Sequence, residues 1–79
     1  MDLSQLHKGQ TARVLGIQNQ GPLDSIALRL LDLGFVAGEQ VRCVTTAPFG
    51  GDPLLVQIGF TRFALRKSEA ARVLVGSIP

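Results

Sequence analysis

Cysteine and histidine are nearly missing from this 79-residue chain: Cys43 and His7 are single, and tryptophan and tyrosine are absent altogether. One cysteine excludes an internal disulfide, and a structural zinc site needs about four Cys or His ligands. Both usual staples of very small domains are therefore ruled out. Nucleophilic catalysis needs an activated Ser, Cys or Thr beside a base, and the only imidazole, His7, lies on a polar stretch near the N-terminus. Cys43 alternates in phase with Val41 and reads as a small core residue. No apolar run approaches the roughly 20 residues that span a bilayer, and the first residues, Met1-Asp2-Leu3-Ser4-Gln5, lack the pattern of an export signal. A lone cysteine suits a reducing compartment. The reading is a cytoplasmic domain that is neither exported nor embedded.

Charge is sparse too. Eight Lys and Arg against six Asp and Glu leave a formal +2. Lys8, Arg13, Arg29, Arg42, Arg62, Arg66, Lys67 and Arg72 are spread along the chain, which is not the dense basic stripe of a nucleic-acid binder. The Gly50-Gly51 pair lacks the Lys and Ser or Thr of a phosphate-binding loop. Asp24 and Asp32, two helical turns apart, read as solvated charges rather than as a catalytic pair.

What is present is aliphatic. Apolar residues make up 46% of the chain, and nine glycines and four prolines separate short β-rich runs. Leu3 and Leu6 predict one helical turn that lids the core. Thr11–Ile17 reads as a strand with a bulge or a close backbone approach at Gly16. Leu23, Ile26, Ala27, Leu30 and Leu33 recur at three- and four-residue spacing and predict a helix from Leu23 to Leu33, ended by Gly34. Val41–Thr46 predicts a strand; Ala47–Pro53 is a turn cluster. Leu54–Gly59 and Arg62–Arg66 predict a hairpin turning at Phe60 and Thr61. Ser68 is placed as the cap of a helical turn, and Val73–Val75 as a closing strand. The sum is a single domain over residues 1–79, mostly β with one inserted helix: a small SH3-like five-stranded barrel.

Leu30-Leu31-Asp32-Leu33-Gly34-Phe35, Gly38, Ala47-Pro48-Phe49-Gly50-Gly51-Asp52-Pro53-Leu54 and Ala64-Leu65-Arg66-Lys67-Ser68-Glu69-Ala70, in this order and spacing, resemble the FeoA family. The resemblance runs from about Leu3 to Val75. It implies a cytoplasmic SH3-like accessory protein of bacterial ferrous iron uptake, acting with the membrane transporter FeoB and its G-protein domain. In such a family the role is either to activate nucleotide hydrolysis or to assist assembly. The chain departs from the family in having Ala37 where Pro often precedes the glycine, and in offering only Arg29 as a basic residue over Asp24–Arg29.

Three functions are weighed. In the first, the chain is an interaction module without enzymatic activity of its own. In the second, it is a GTPase-activating protein that lends Arg29, Arg62 or Arg66 to its partner's site. In the third, it is a basic SH3-like nucleic-acid binder. For contacts, helical phase places Leu28 outside the buried stripe, with Leu31 at the margin, as an apolar strip rimmed by Asp24 and Asp32 that fits the transporter or a second copy of the chain. Phe49, on the Pro-Gly loop, is either an exposed contact or a ring folded over the core. No cofactor is called for, and His7 is the only candidate for an incidental metal contact.

Overall fold

The computed structural model describes residues 1–78. Period-two alternation builds five strands: β1 (Thr11–Ile17), β2 (Gln40–Thr46), β3 (Leu54–Ile58), β4 (Thr61–Leu65) and β5 (Val73–Gly76). They pair antiparallel in one sheet in the order β4-β3-β2-β1-β5. Ala12, Val14, Val41, Cys43, Leu54, Val56, Leu65, Val73 and Val75 all point inward and are buried. The chain is thus mostly β with one inserted helix, as the alternation predicts.

The expected bulge lies between Val14 and Gly16, where β1 shifts register against β5. A Cβ on Gly16 would meet nothing within 4 Å, so the bulge, not a close backbone approach, is what the glycine marks. A second register shift, between Cys43 and Thr45 in β2, carries no signal in the sequence. Bulges of this kind raise the local twist that curls a small sheet.

The inserted helix α1 spans Ser25–Asp32, two residues shorter at its start than the spacing predicts. Asp24 caps it, its Oδ1 accepting from the Ala27 N–H at 3.1 Å. The cap fixes the first turn, so Leu23 falls outside the helix and is 92% exposed rather than part of the stripe. At the other end Gly34 adopts φ 108°; its N–H donates to the Leu31 carbonyl and the Phe35 N–H to the Leu30 carbonyl. This paired closure turns the chain back and drives Phe35 into the core.

Phe35 is the largest fully buried side chain, with its ring 5.6 Å from that of Phe63 at 57°. Leu3 and Leu6 close one end of the core through a 3₁₀ turn, Leu3–Gln5, as predicted. The β3–β4 hairpin turns at Gly59-Phe60, one residue earlier than expected, because Ile58 pairs directly with Thr61. Gly59 takes the positive φ, 58°, that the turn requires. Arg66 leaves the strand to become the N-cap of α2 (Lys67–Ala70). Ser68 is inside that turn, not its cap, because Glu69 Oε1 accepts the Arg66 N–H at 3.1 Å.

Cys43 is fully buried, and burial pushes its thiol pKa up. The folded protein therefore holds this proton to higher pH than the unfolded chain does. Stability is expected to be unaffected below the ordinary thiol pKa of about 8.5 and to fall as pH rises through and above it. Denaturant melts of wild type and Cys43→Ala between neutral pH and pH ~10 check this: only the wild type should lose stability through the thiol, and parallel curves would refute it.

Candidate functional site

Helix α1 buries only Ala27 and Leu30. At about 100° per residue its other apolar side chains fall on two flanks. Leu28 (54% exposed) and Leu31 (45% exposed) form one, beside the exposed Asp32. Ile26, on the other, joins Arg29, Pro53, Ala64, Arg66 and Glu69 around a shallow depression of about 580 Å³. Leu28 and Leu31 are thus at the surface where helical phase predicts them. Asp24 is not: it faces inward, so Asp32 alone rims the strip.

The reason is Arg72. Its guanidinium pairs with Asp24, with the two side chains only 12% and 9% exposed. It also donates through Nε and an NH2 group to the Gln18 carbonyl at 3.2 and 3.1 Å. Asp24 Oδ2 in turn accepts the Gln20 N–H at 2.9 Å. One carboxylate caps α1, orders the loop before it and ties both to the start of β5. The reading of Asp24 as a solvated charge is therefore corrected: its position before the helix was a legible cap signal, while its partner, 48 residues away, was not.

The three candidate arginines do not converge. Arg29 pairs with Glu69, linking α1 to α2. Arg66 lines the same depression from the α2 cap. Arg62 is near the other end of β4, where its Nε donates to Gln57 Oε1 at 2.9 Å. To reach a partner's site Arg29 would first release Glu69, an exposed pair of the kind worth about 0–1 kcal/mol, and Arg62 would release Gln57.

Two aromatic rings are completely exposed. Phe49 (101%) has φ 62°, a left-handed backbone that is unusual for a bulky residue. Its ring does not fold back over the core, so the choice left open by the sequence falls to exposure. Phe60 (104%), at the β3–β4 turn, was not singled out from the sequence. Phe49 and Phe60 lie at opposite ends of the β3 strand and form no common patch.

His7 is exposed, and its backbone bonds with Gln10. Among the described residues no three His, Cys, Asp or Glu side chains gather as metal ligands, and no helix is long and apolar enough to cross a membrane.

Comparison with known proteins gives the fold a family. The FeoA domain matches residues 1–76. A crystal structure of Stenotrophomonas maltophilia FeoA complexed with zinc, described as a prokaryotic SH3 domain protein, superposes with a TM-score of 0.88 at 56% identity, covering 96% of this chain and 89% of that one. An FeoA-like protein from Clostridium acetobutylicum gives 0.85 at 28% identity, covering 100% and 87%. A Fe(2+) transport protein A/Fe(2+) transporter FeoB fusion protein of Porphyromonas gingivalis is 33% identical over 75 residues, which are 95% of this chain and 8% of the fusion. A manganese-dependent transcriptional repressor, at 19% identity and a TM-score of 0.83, shares the fold alone. The five-stranded SH3-like sheet, the Gly34-Phe35 helix exit and the match along nearly the whole chain together place this protein in the FeoA family.

Proposed function

We propose that this chain is a cytoplasmic accessory protein of ferrous iron uptake that binds an FeoB-type membrane transporter. The observation that carries the reading is the Porphyromonas gingivalis fusion, in which an FeoA segment and FeoB share one polypeptide. Fusion gives two partners a high effective concentration, an arrangement useful to domains that otherwise meet by diffusion. The contact surface is the Leu28–Leu31 flank of α1. Leu28 is 54% exposed although the helix is anchored to the barrel at both ends, by Asp24–Arg72 and by Phe35. Rigid apolar anchors of this kind lose little entropy when covered. Phe49, held out on its loop, is a second contact at another place on the barrel.

Leu28→Glu is expected to leave stability within about 0.5 kcal/mol of wild type, as surface substitutions do. It should weaken capture of FeoB from detergent-solubilised membranes by roughly tenfold, the order of a single interface anchor. Capture at wild-type strength by a folded Leu28→Glu protein would remove α1 as the contact, and failure of the wild type to capture FeoB would remove the partner.

Nucleotide hydrolysis by FeoB separates a docking role from the arginine-donating one. A finger from Arg29, Arg62 or Arg66 raises the rate by about 10³ to 10⁵, whereas a docking module leaves the chemical step unchanged.

A further inference from the structure

The outward face of the sheet gathers charges that the sequence scatters. Arg42 on β2 is paired with Thr11 on β1 and with Gln57 on β3, and Gln57 with Arg62 on β4. These four positions form one row across four strands. Arg13 pairs with Gln40 and so sits diagonally from Arg42, at about 7–8 Å between backbones. Arg42 and Arg62 are two strand spacings apart, about 9–10 Å. Thr11, Arg13, Glu39, Gln40, Arg42 and Gln57, with Gly59, line an open depression of about 530 Å³; Arg62 does not line it but is held on the lining residue Gln57. The fully exposed Phe60 follows the lining residue Gly59 in the β3–β4 turn.

Two of the guanidinium groups are already oriented. An Arg13 NH1 group donates to the Gly38 carbonyl at 2.8 Å, and Arg62 Nε donates to Gln57 Oε1, while Gln57 Nε2 is itself fixed on the Gly59 carbonyl at 2.9 Å. Each bond uses one donor of five and leaves the rest of the fork available. Arg42 is exposed, and neither ion pair among the described residues involves any of the three arginines. Held donors without a carboxylate partner lose little freedom when one arrives.

We propose that this face binds an extended acidic segment of a partner protein, with carboxylates on Arg13, Arg42 and Arg62 and an apolar residue against Phe60. Guanidinium forks match carboxylates in two-point contact. Glu39 and Gln40 in the same lining select for peptide over a phosphate-rich ligand. Their side-chain oxygens can accept from the backbone N–H groups of an extended segment, donors that a phosphate group does not have. The inference is independent of the transporter reading, because α1 contributes no residue to this depression.

The test is fluorescence anisotropy with a labelled Glu-rich peptide containing one Phe, against the intact chain at low and at physiological salt. Wild type should bind, more weakly as salt rises. Arg42→Glu and Arg42→Glu/Arg62→Glu should weaken binding by tenfold or more with unchanged melting. Phe60→Ala should weaken it about threefold, with recovery in Phe60→Leu. Lys67→Glu makes the same charge change on α2, outside this face, and should bind as wild type does. The proposal is overturned by no binding at low salt, by equal losses in Arg42→Glu and Lys67→Glu, or by tighter binding of single-stranded RNA or of phosphatidylserine vesicles than of the peptide.

Discussion

Phe35→Ala is expected to remove about 3–5 kcal/mol of stability, the usual cost of emptying an aromatic site in a core. The ring is fully buried and packs against Phe63 from the residue that follows the helix exit. Gly34 holds the backbone at φ 108°, and the Phe35 N–H is bonded to Leu30, so the chain there has little freedom to collapse into the cavity. A 79-residue domain has a total stability of only about 4–12 kcal/mol, and each kcal/mol moves its melting temperature by about 4–8 °C. The variant should therefore melt more than about 12 °C below wild type or fail to fold. Phe35→Leu, which keeps most of the apolar volume but loses the ring contact with Phe63, should lose less, about 1–2 kcal/mol. Thermal melts of both decide the matter: a Phe35→Ala protein melting within about 4 °C of wild type would show that Phe35 does not organise the core.

The second large effect belongs to Arg72. Arg72→Ala leaves the Asp24 carboxylate mostly buried without its cation and removes both donors to the Gln18 carbonyl. Breaking one side of a buried pair costs about 3–5 kcal/mol; the slight exposure of both groups reduces the expected loss to about 2–3 kcal/mol. Asp24→Asn keeps an oxygen to cap Ala27 but drops the charge, so its loss should be about half of that. The double variant should lose less than the sum of the two, since the residues act through one contact. The effect should also be local. Hydrogen exchange should quicken first at Ala27 and through α1, while β2, β3 and β4 stay protected until global unfolding. Uniform loss of protection would mean that the pair supports the whole barrel and not the seating of α1.

That seating links fold to proposed function. Leu28 and Leu31 present a defined surface only while α1 is fixed, and the helix, at eight residues, is too short to be stable alone. The Asp24 carboxylate, which caps it and pairs with Arg72, and the bridge from Arg29 to Glu69 supply the fixation. Arg72→Ala is therefore also expected to weaken FeoB capture without touching the contact surface. This loss differs from that of Leu28→Glu because it comes with lowered stability.

The strands, the inserted helix and most of the core are legible in local sequence pattern. Alternation in Thr11–Ile17 and Val41–Thr46, the three- and four-residue spacing through Leu30, and the Gly34 exit are short-range signals, written in neighbouring residues. Helical phase was enough to put Leu28 at the surface, because phase needs only a few consecutive positions. Tertiary structure decided the rest. Leu23 fits the periodicity but is left outside because Asp24 sets the first turn. Arg72 and Asp24 are 48 residues apart, and Arg29 and Glu69 are 40 apart. Arg13, Arg42 and Arg62 share a face only through the register of β1 with β2, β2 with β3 and β3 with β4. Such pairings depend on how separate elements align in space, and a one-residue slip of any strand would turn its arginine to the other side.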